Sequence, residues 1–139
     1  MTFWRELWRK ITKIFFPSST DKELAEVLNS DDLLRRIIFR NPSYVSPDNT
    51  LSSFAFKLRS TENGLSVDIA RLTTYEKSIV DKLNYRLYSV KAEYVRSIGL
   101  NCIHDPLPDN NAHALIVGEI KNSVSKKLSR AAIRIPFPD

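Results

Sequence analysis

The sequence predicts one α+β domain with a mixed or mainly antiparallel sheet of about five strands, packed helices, and an amphipathic helix ahead of it. A chain of 139 residues has the size of one ordinary domain with its own core. Hydrophobic residues make up 42% and charged residues 27% of it, a balance that excludes a disordered or fibrous protein. Short apolar stretches with a period of two alternate with stretches at helical spacing, which indicates both strands and helices.

Residues 1–16 are predicted to form an amphipathic docking helix. Its large apolar side chains recur at intervals of one and three residues, so they share one stripe of an α-helix. The residues predicted to bind a partner are Phe3, Trp4, Leu7, Trp8, Ile11 and Phe15. The opposite face is basic, and Pro17 ends the helix. Three surfaces could cover the stripe: the chain's own domain, a groove in a partner protein, or an anionic membrane.

A hinge and a short helix are predicted over residues 17–30. The hinge is the turn-forming stretch 17–19. Thr20 and Glu23 then have the spacing of a capping box, in which each side chain bonds the other's backbone amide, so a helix should begin there. The single α+β domain is predicted to occupy residues 31–139.

Three strands are predicted in the first half of this domain. Residues 37–39 combine β-branched and aromatic side chains ahead of Asn41-Pro42, which favours a strand that ends there. Apolar residues alternate over 54–58 and again over 65–69, on either side of the turn-forming residues 62–64. These last two stretches are therefore predicted to pair as a hairpin.

The second half of the domain predicts alternating helices and strands. The predicted helices run from Thr73 or Thr74 to about Leu83, over 92–98 with Gly99 closing the helix, and from a cap at Asn122 or Ser123. The predicted strands cover 85–90, 100–103, 114–117 and 133–135. The strand over 114–117 is predicted to be central and the strand over 133–135 to lie at an edge.

The loop between the two histidines of the chain is the main candidate site. If it doubles back, His104 and His113 could converge with Asp105 or Asp109 as general acid and base. Cys102 could join them around a metal, but the paired spacings typical of metal ligands are missing, so neither a metal nor a cofactor is predicted. The preferred interpretation is structural: prolines and Asx turns stiffen the connection, and His113 caps a strand by bonding backbone.

Other catalytic patterns are weaker. Ser66 and Asp68 share one face of a predicted strand, and with a histidine they invite a triad hypothesis. No glycine follows Ser66, so the sharp turn of a nucleophile elbow is not expected, and a solvated strand face is the preferred interpretation. Three glycines in the whole chain leave neither a P-loop nor a dinucleotide fingerprint.

The net charge of +5 is concentrated at the two ends of the chain. Residues 1–16 hold four basic residues and one acidic residue, and residues 119–138 hold five and one. Lys127, Arg130 and Arg134 have the spacing of one basic stripe on the last helix, which could bind nucleic acid or simply complement the helix dipole. Basic ends favour acidic partners, whether nucleic acid, anionic lipid or protein.

The cysteine count and the apolar pattern suggest a compartment. A single cysteine excludes an internal disulfide and favours a cytoplasmic protein. Basic residues interrupt the apolar run of residues 1–16, so neither a signal peptide nor a transmembrane segment is predicted. Peripheral membrane binding through that helix stays open.

Four stretches resemble an uncharacterised group of small prokaryotic proteins with no assigned activity. They are SFAF at 53–56, GLSVD at 64–68, VRSIGL at 95–100 and DPLPDNNAHALI at 105–116. The resemblance covers somewhat over half of the chain and leaves out residues 1–16, which implies a docking device added to a common body. A fainter resemblance is to small NAD-consuming or ADP-ribosyl-transferring folds, through Phe39-Arg40, the glycine-led stretch 64–67, and Glu76.

The leading interpretation is a small accessory or adaptor subunit of a cytoplasmic bacterial assembly. It would bind a partner protein through the helix over 1–16 and need no cofactor. One alternative is a small or degenerate enzyme, hydrolytic or of the NAD/ADP-ribosyl type, that uses the loop between His104 and His113. The other is a nucleic-acid-binding accessory protein that uses the basic C-terminal helix.

Overall fold

The computed structural model describes residues 24–138 and shows an α+β fold built on a six-stranded antiparallel sheet. The α+β class and the mainly antiparallel sheet are confirmed. Six of the seven stretches predicted as strands correspond to the strands of the sheet, and residues 54–58 do not. The predicted docking helix over 1–16, the hinge over 17–19 and the cap at Thr20 lie outside the described residues. Residues 24–28, predicted to be helical, have no regular secondary structure.

The strands and helices of residues 24–138 have the following bounds. The strands are β1 Asp32–Ile38, β2 Leu65–Ile69, β3 Tyr85–Lys91, β4 Asn101–His104, β5 His113–Val117 and β6 Ile133–Arg134. The helices are α1 Tyr75–Ile79, α2 Ala92–Ser97 and α3 Asn122–Ala131, with two 3-10 helices at Ser53–Phe56 and Ala70–Leu72. The spatial order is β4-β5-β2-β1-β3-β6, and every neighbouring pair is antiparallel.

The predicted hairpin over 54–69 is wrong. Residues 53–56 form a 3-10 helix whose first turn is capped by the Ser52 side chain, and β2 pairs with β5 and β1. The alternating pattern does not mark one buried face, because Phe56 is fully buried whereas Phe54 is 53% exposed. The Ser125 hydroxyl on α3 donates to the Phe56 carbonyl at 2.9 Å, which fixes this short helix against α3.

Other boundaries also differ from the prediction. Helix α1 starts at the predicted cap, since the Thr74 hydroxyl accepts from the Lys77 amide, but it ends at Ile79 because Val80 takes a left-handed φ of 64°. Strand β5 is internal without being central, and α3 begins after Lys121 with no side-chain cap. The predicted stop of α2 at Gly99, with φ of 90°, and the edge strand β6 are confirmed.

The two faces of the sheet are covered differently. Facing residues of paired strands project to the same side, so the register assigns each side chain to a face. On one face Leu33 and Ile116 belong to the main core, which α2, α3 and the first 3-10 helix cover. On the other face α1 covers β1 and β3, where Leu34 packs with Ile79. Over β2, β5 and β4 this second face presents Ser66, which is exposed.

Gly64 and Gly99 are required for different reasons, Gly64 because there is no room for a Cβ and Gly99 because its φ is positive, and alanine variants of the two can be compared. A Cβ on Gly64 would lie 2.8 Å from the Ile116 carbonyl oxygen, so Gly64→Ala should destabilise the protein by about 1–3 kcal/mol through overpacking. A Cβ on Gly99 meets nothing within 4 Å, so Gly99→Ala should cost only the left-handed φ, about 1 kcal/mol. Urea denaturation of both variants measures this order, and a neutral Gly64→Ala would contradict the close approach of β2 and β5.

Candidate functional site

Ser66, His113 and Asp105 form a hydrogen-bonded line on the open part of the second face. The Ser66 Oγ lies 3.2 Å from His113 Nε2. On the other side of the ring, Nδ1 lies 2.9 Å from the Asp105 carbonyl oxygen and 3.2 Å from its carboxylate Oδ2. Because Nδ1 faces two acceptors it carries a proton, which leaves Nε2 of the neutral ring to accept from the Ser66 hydroxyl.

The sheet register explains this line. His113 is the first residue of β5 and faces Asp68 on β2, and the Asp105 amide donates to the His113 carbonyl at 2.8 Å just past the end of β4. Ser66 precedes Asp68 by two residues, so it projects to the same face one step along the strand. Strand β2, strand β5 and the residue just past the end of β4 therefore supply the serine, the histidine and the aspartate.

Asp68 is buried and takes part in a separate network. Its carboxylate accepts from the Ser78 hydroxyl at 2.7 Å and from the Asn110 side-chain amide at 2.8 Å. The Asn110 side-chain oxygen Oδ1 in turn accepts from the Ala112 amide at 3.2 Å. The predicted solvated face over Ser66 and Asp68 is thus correct for Ser66 and wrong for Asp68, which anchors the 105–112 loop to β2.

His113 should make stability fall as the pH rises. The hydrogen bond that His113 donates to the Asp105 carboxylate raises the pKa of His113 above its ordinary value, burial opposes this, and the Asp68 charge adds to the rise. The folded pKa therefore exceeds the unfolded value of about 6.5. This contribution is complete below pH 6.5 and is lost as the pH rises through the folded pKa. Melting temperatures across this range should show the fall in the wild type and a flatter profile in His113→Gln.

The two histidines do not converge. His104 faces Ala114, the neighbour of His113, so the two rings project to opposite faces of the sheet. His104 is buried, where Nδ1 accepts from the Ala25 amide at 2.7 Å and Nε2 donates to the Asn111 carbonyl. Both ring nitrogens are thus used in holding backbone, and the predicted acid–base pairing of His104 with His113 is wrong.

The remaining candidates of this loop stay apart from the Ser66 line. Asp109 is exposed at the tip of the loop. Cys102 is buried on the core face, and burial raises the pKa of its thiol to about 12, so the thiolate is not populated at neutral pH. Among residues 24–138 no three His, Cys, Asp or Glu side chains are grouped closely enough to hold a metal ion.

His104 belongs to a set of anchors that hold the irregular segment 24–31. The Asp31 carboxylate, 4% exposed, accepts from Arg71 Nε at 2.7 Å and from the Leu28 amide at 2.7 Å. Arg96 donates to the Val27 carbonyl and, at 2.6 Å, to the Asn29 side chain. This segment therefore follows a fixed path across the end of the sheet although it forms no helix or strand.

The basic stripe predicted over Lys127, Arg130 and Arg134 is divided between two elements. Helix α3 ends at Ala131 because the next residue is extended, so only Lys127 and Arg130 lie on it, and Arg134 lies in β6. All three side chains are exposed. Nucleic-acid binding through these three side chains stays a prediction. It predicts an affinity for nucleic acid that falls steeply as the salt concentration rises.

A group of arginines and aromatic rings at the end of β3 was missed by the sequence reasoning. The Arg86 guanidinium stacks 3.6 Å from the centroid of Phe39 and 4.5 Å from that of Phe137. Burial lowers the pKa of Arg86, and the charges of Arg134 and Arg40 lower it further. The stacking holds the C-terminal tail against β3.

No protein-family model, curated protein or solved structure matches this chain. The resemblance to small prokaryotic proteins stays a prediction. Of the residues behind the ADP-ribosyl resemblance, Arg40 stacks on Phe39 and Glu76 is ion-paired with Lys82 at 2.8 Å. In the described part of the chain, no helix combines the length and the apolar content that crossing a bilayer requires.

Proposed function

We propose that this protein is a small accessory subunit that binds a partner protein through the aromatic stripe of residues 1–16. The observation that carries the proposal is the anchored segment 24–31. Arg71, Arg96 and His104, from three separate parts of the domain, all bond to it. A chain that leads from a docking helix into a domain has to be held in this way if partner binding is to position the domain.

The composition of the stripe supports a protein partner. Trp4 and Trp8 are four residues apart, which is about one turn of the predicted helix, and large aromatic side chains supply much of the binding energy when an amphipathic helix enters a groove. The basic residues of the opposite face favour a partner with an acidic rim around its groove. The partner would belong to a bacterial cytoplasmic assembly, in keeping with the predicted compartment.

A double variant, Trp4→Ala with Trp8→Ala, tests the proposal. Full-length tagged protein is purified from its native host, and the co-purifying proteins are quantified by mass spectrometry. Loss of two aromatic anchors should reduce the recovery of a specific partner at least about tenfold. Leu83→Ala is the matched control, because Leu83 is 72% exposed on the domain and its removal changes surface hydrophobicity without touching the stripe.

Three results would oppose this function. The first is a partner retained by the double variant. The second is a drop in melting temperature of several degrees, since it would place the stripe in the domain's own core. The third combines two observations: the wild type sediments with anionic lipid vesicles and the double variant does not, and no protein co-purifies with either. That result would identify lipid as the binding surface.

A further inference from the structure

The open part of the sheet carries two adjacent cross-strand rows on its second face. One row contains Ser66 on β2, Leu115 on β5 and Ile103 on β4, since Leu115 faces each of the others in the register. The next row places His113 between Asp68 and Asp105. The exposed hydroxyl of Ser66 therefore lies beside an imidazole on one side and beside half-buried apolar side chains on the other.

We propose that this face is an acyl-transfer site, in which Ser66 attacks a carboxylic ester, His113 carries the proton, and Asp105 is the positioning residue for His113. The proposal is independent of partner docking through residues 1–16. It rests on the 3.2 Å contact between Ser66 Oγ and His113 Nε2, and on the Asp105 oxygens that hold the proton on Nδ1. The same division of roles defines serine hydrolases on unrelated folds.

Each step balances. As the Ser66 Oγ bonds to the ester carbonyl carbon, its proton moves to His113 Nε2. The carbon–oxygen bond to the alcohol then breaks, and the alkoxide leaves as an alcohol with that proton. Water next attacks the acyl-serine, gives one proton to Nε2, and releases the carboxylic acid as Ser66 regains its hydroxyl hydrogen.

The neighbouring side chains select the substrate class. Leu115 and Ile103 continue the row from Ser66, so an apolar acyl chain can lie along them across β5 and β4. The carboxylates of Asp68 and Asp105 on the adjacent row disfavour an anionic substrate by repulsion. The expected substrate is a neutral ester with an apolar acyl group.

The backbone conformation around Ser66 indicates that ester turnover should be slow. Ser66 lies within a strand, and its carbonyl accepts from Arg35 Nη1 at 2.9 Å, so the local backbone is extended rather than turned. A nucleophile elbow aims backbone amides at the oxyanion, and an extended strand does not. Formation of a covalent adduct, not rapid turnover, is therefore the appropriate measurement.

An alkyl fluorophosphonate tests the site on the full-length protein. Attack by Ser66 forms an oxygen–phosphorus bond and expels fluoride, while the serine proton is taken up by His113. Peptide mass spectrometry should locate the adduct on Ser66, and Ser66→Ala should remove it. His113→Gln should slow labelling at least about 100-fold. Ser43→Ala, at another exposed serine, should leave the rate unchanged.

The pH dependence separates the positioning role from a structural one. Labelling of the wild type should rise with pH as His113 becomes neutral and Nε2 becomes able to accept a proton. Asp105→Asn removes the carboxylate that favours protonated His113, so the midpoint of this rise should move to lower pH while the maximal rate falls. Melting temperatures establish that each variant is folded. A folded wild type without an adduct on Ser66, or labelling that His113→Gln leaves unchanged, overturns the proposal.

Discussion

Phe56→Ala should lower the free energy of unfolding by about 3–5 kcal/mol, which is among the largest losses expected of a single substitution within residues 24–138. Phe56 is fully buried, and its ring belongs to the main core between the sheet and α3. The Arg35 guanidinium lies 5.7 Å from the ring centroid, so truncation also removes a stacking partner from a cation inside the fold. Urea denaturation followed by circular dichroism measures the loss.

Phe54→Ala is the matched control for this prediction. The two phenylalanines are two residues apart, and a strand would place them on the same face. The 3-10 helix leaves Phe54 53% exposed, so its truncation should cost less than about 0.5 kcal/mol. Equal and large losses in both variants would mean that residues 54–58 form the predicted strand after all.

Asp31→Ala should cost about 2–4 kcal/mol, because it leaves the Arg71 Nε and the Leu28 amide without their acceptor, while Arg71 Nη2 keeps the Glu26 carbonyl at 2.7 Å. The loss should stay below that of a fully buried ion pair, since the Arg71 side chain is 41% exposed and can turn to water. Hydrogen exchange should also accelerate in residues 24–31, which lose their central anchor.

Asp32→Ala is the control, one residue further along the chain. Asp32 is paired with Lys91 at 2.8 Å, but both side chains are largely exposed, so its removal should cost about 0–1 kcal/mol. If Asp31→Ala has an effect as small as that of Asp32→Ala, the segment is not held by its carboxylate. In that case Arg96 and His104 would have to carry the attachment.

Sequence reasoning succeeded where one local rule decided the outcome. The Thr74 cap and the Gly99 stop follow from backbone chemistry within a single turn. The alternation over 54–58 failed, because Phe54 is exposed and the intervening Ala55 is buried, so the apolar pattern there does not follow burial. The pairing of β2 with β5 and β1 is a long-range choice that no local pattern encodes.

For the candidate site, the sequence could have separated the two histidines, but it could not have predicted the contact between Ser66 and His113. Strand alternation, applied to 100–103 and 114–117, would have placed His104 and His113 on opposite faces once their register was known. The contact between Ser66 and His113 depends on which strand lies beside β5, and the sequence does not contain that order in readable form. The absence of a glycine after Ser66 correctly indicated that no sharp turn would be found there.

The anchors of the 24–31 segment have a consequence during translation. Arg71, Arg96 and His104 all follow the segment in the chain, the last by more than seventy positions, so they leave the ribosome later than the residues they hold. At a synthesis rate of roughly 5–20 residues per second, β4 is completed several seconds after the 24–31 segment that His104 holds. Throughout that interval residues 1–16 are already synthesised, so the proposed partner would meet them before the domain has finished folding.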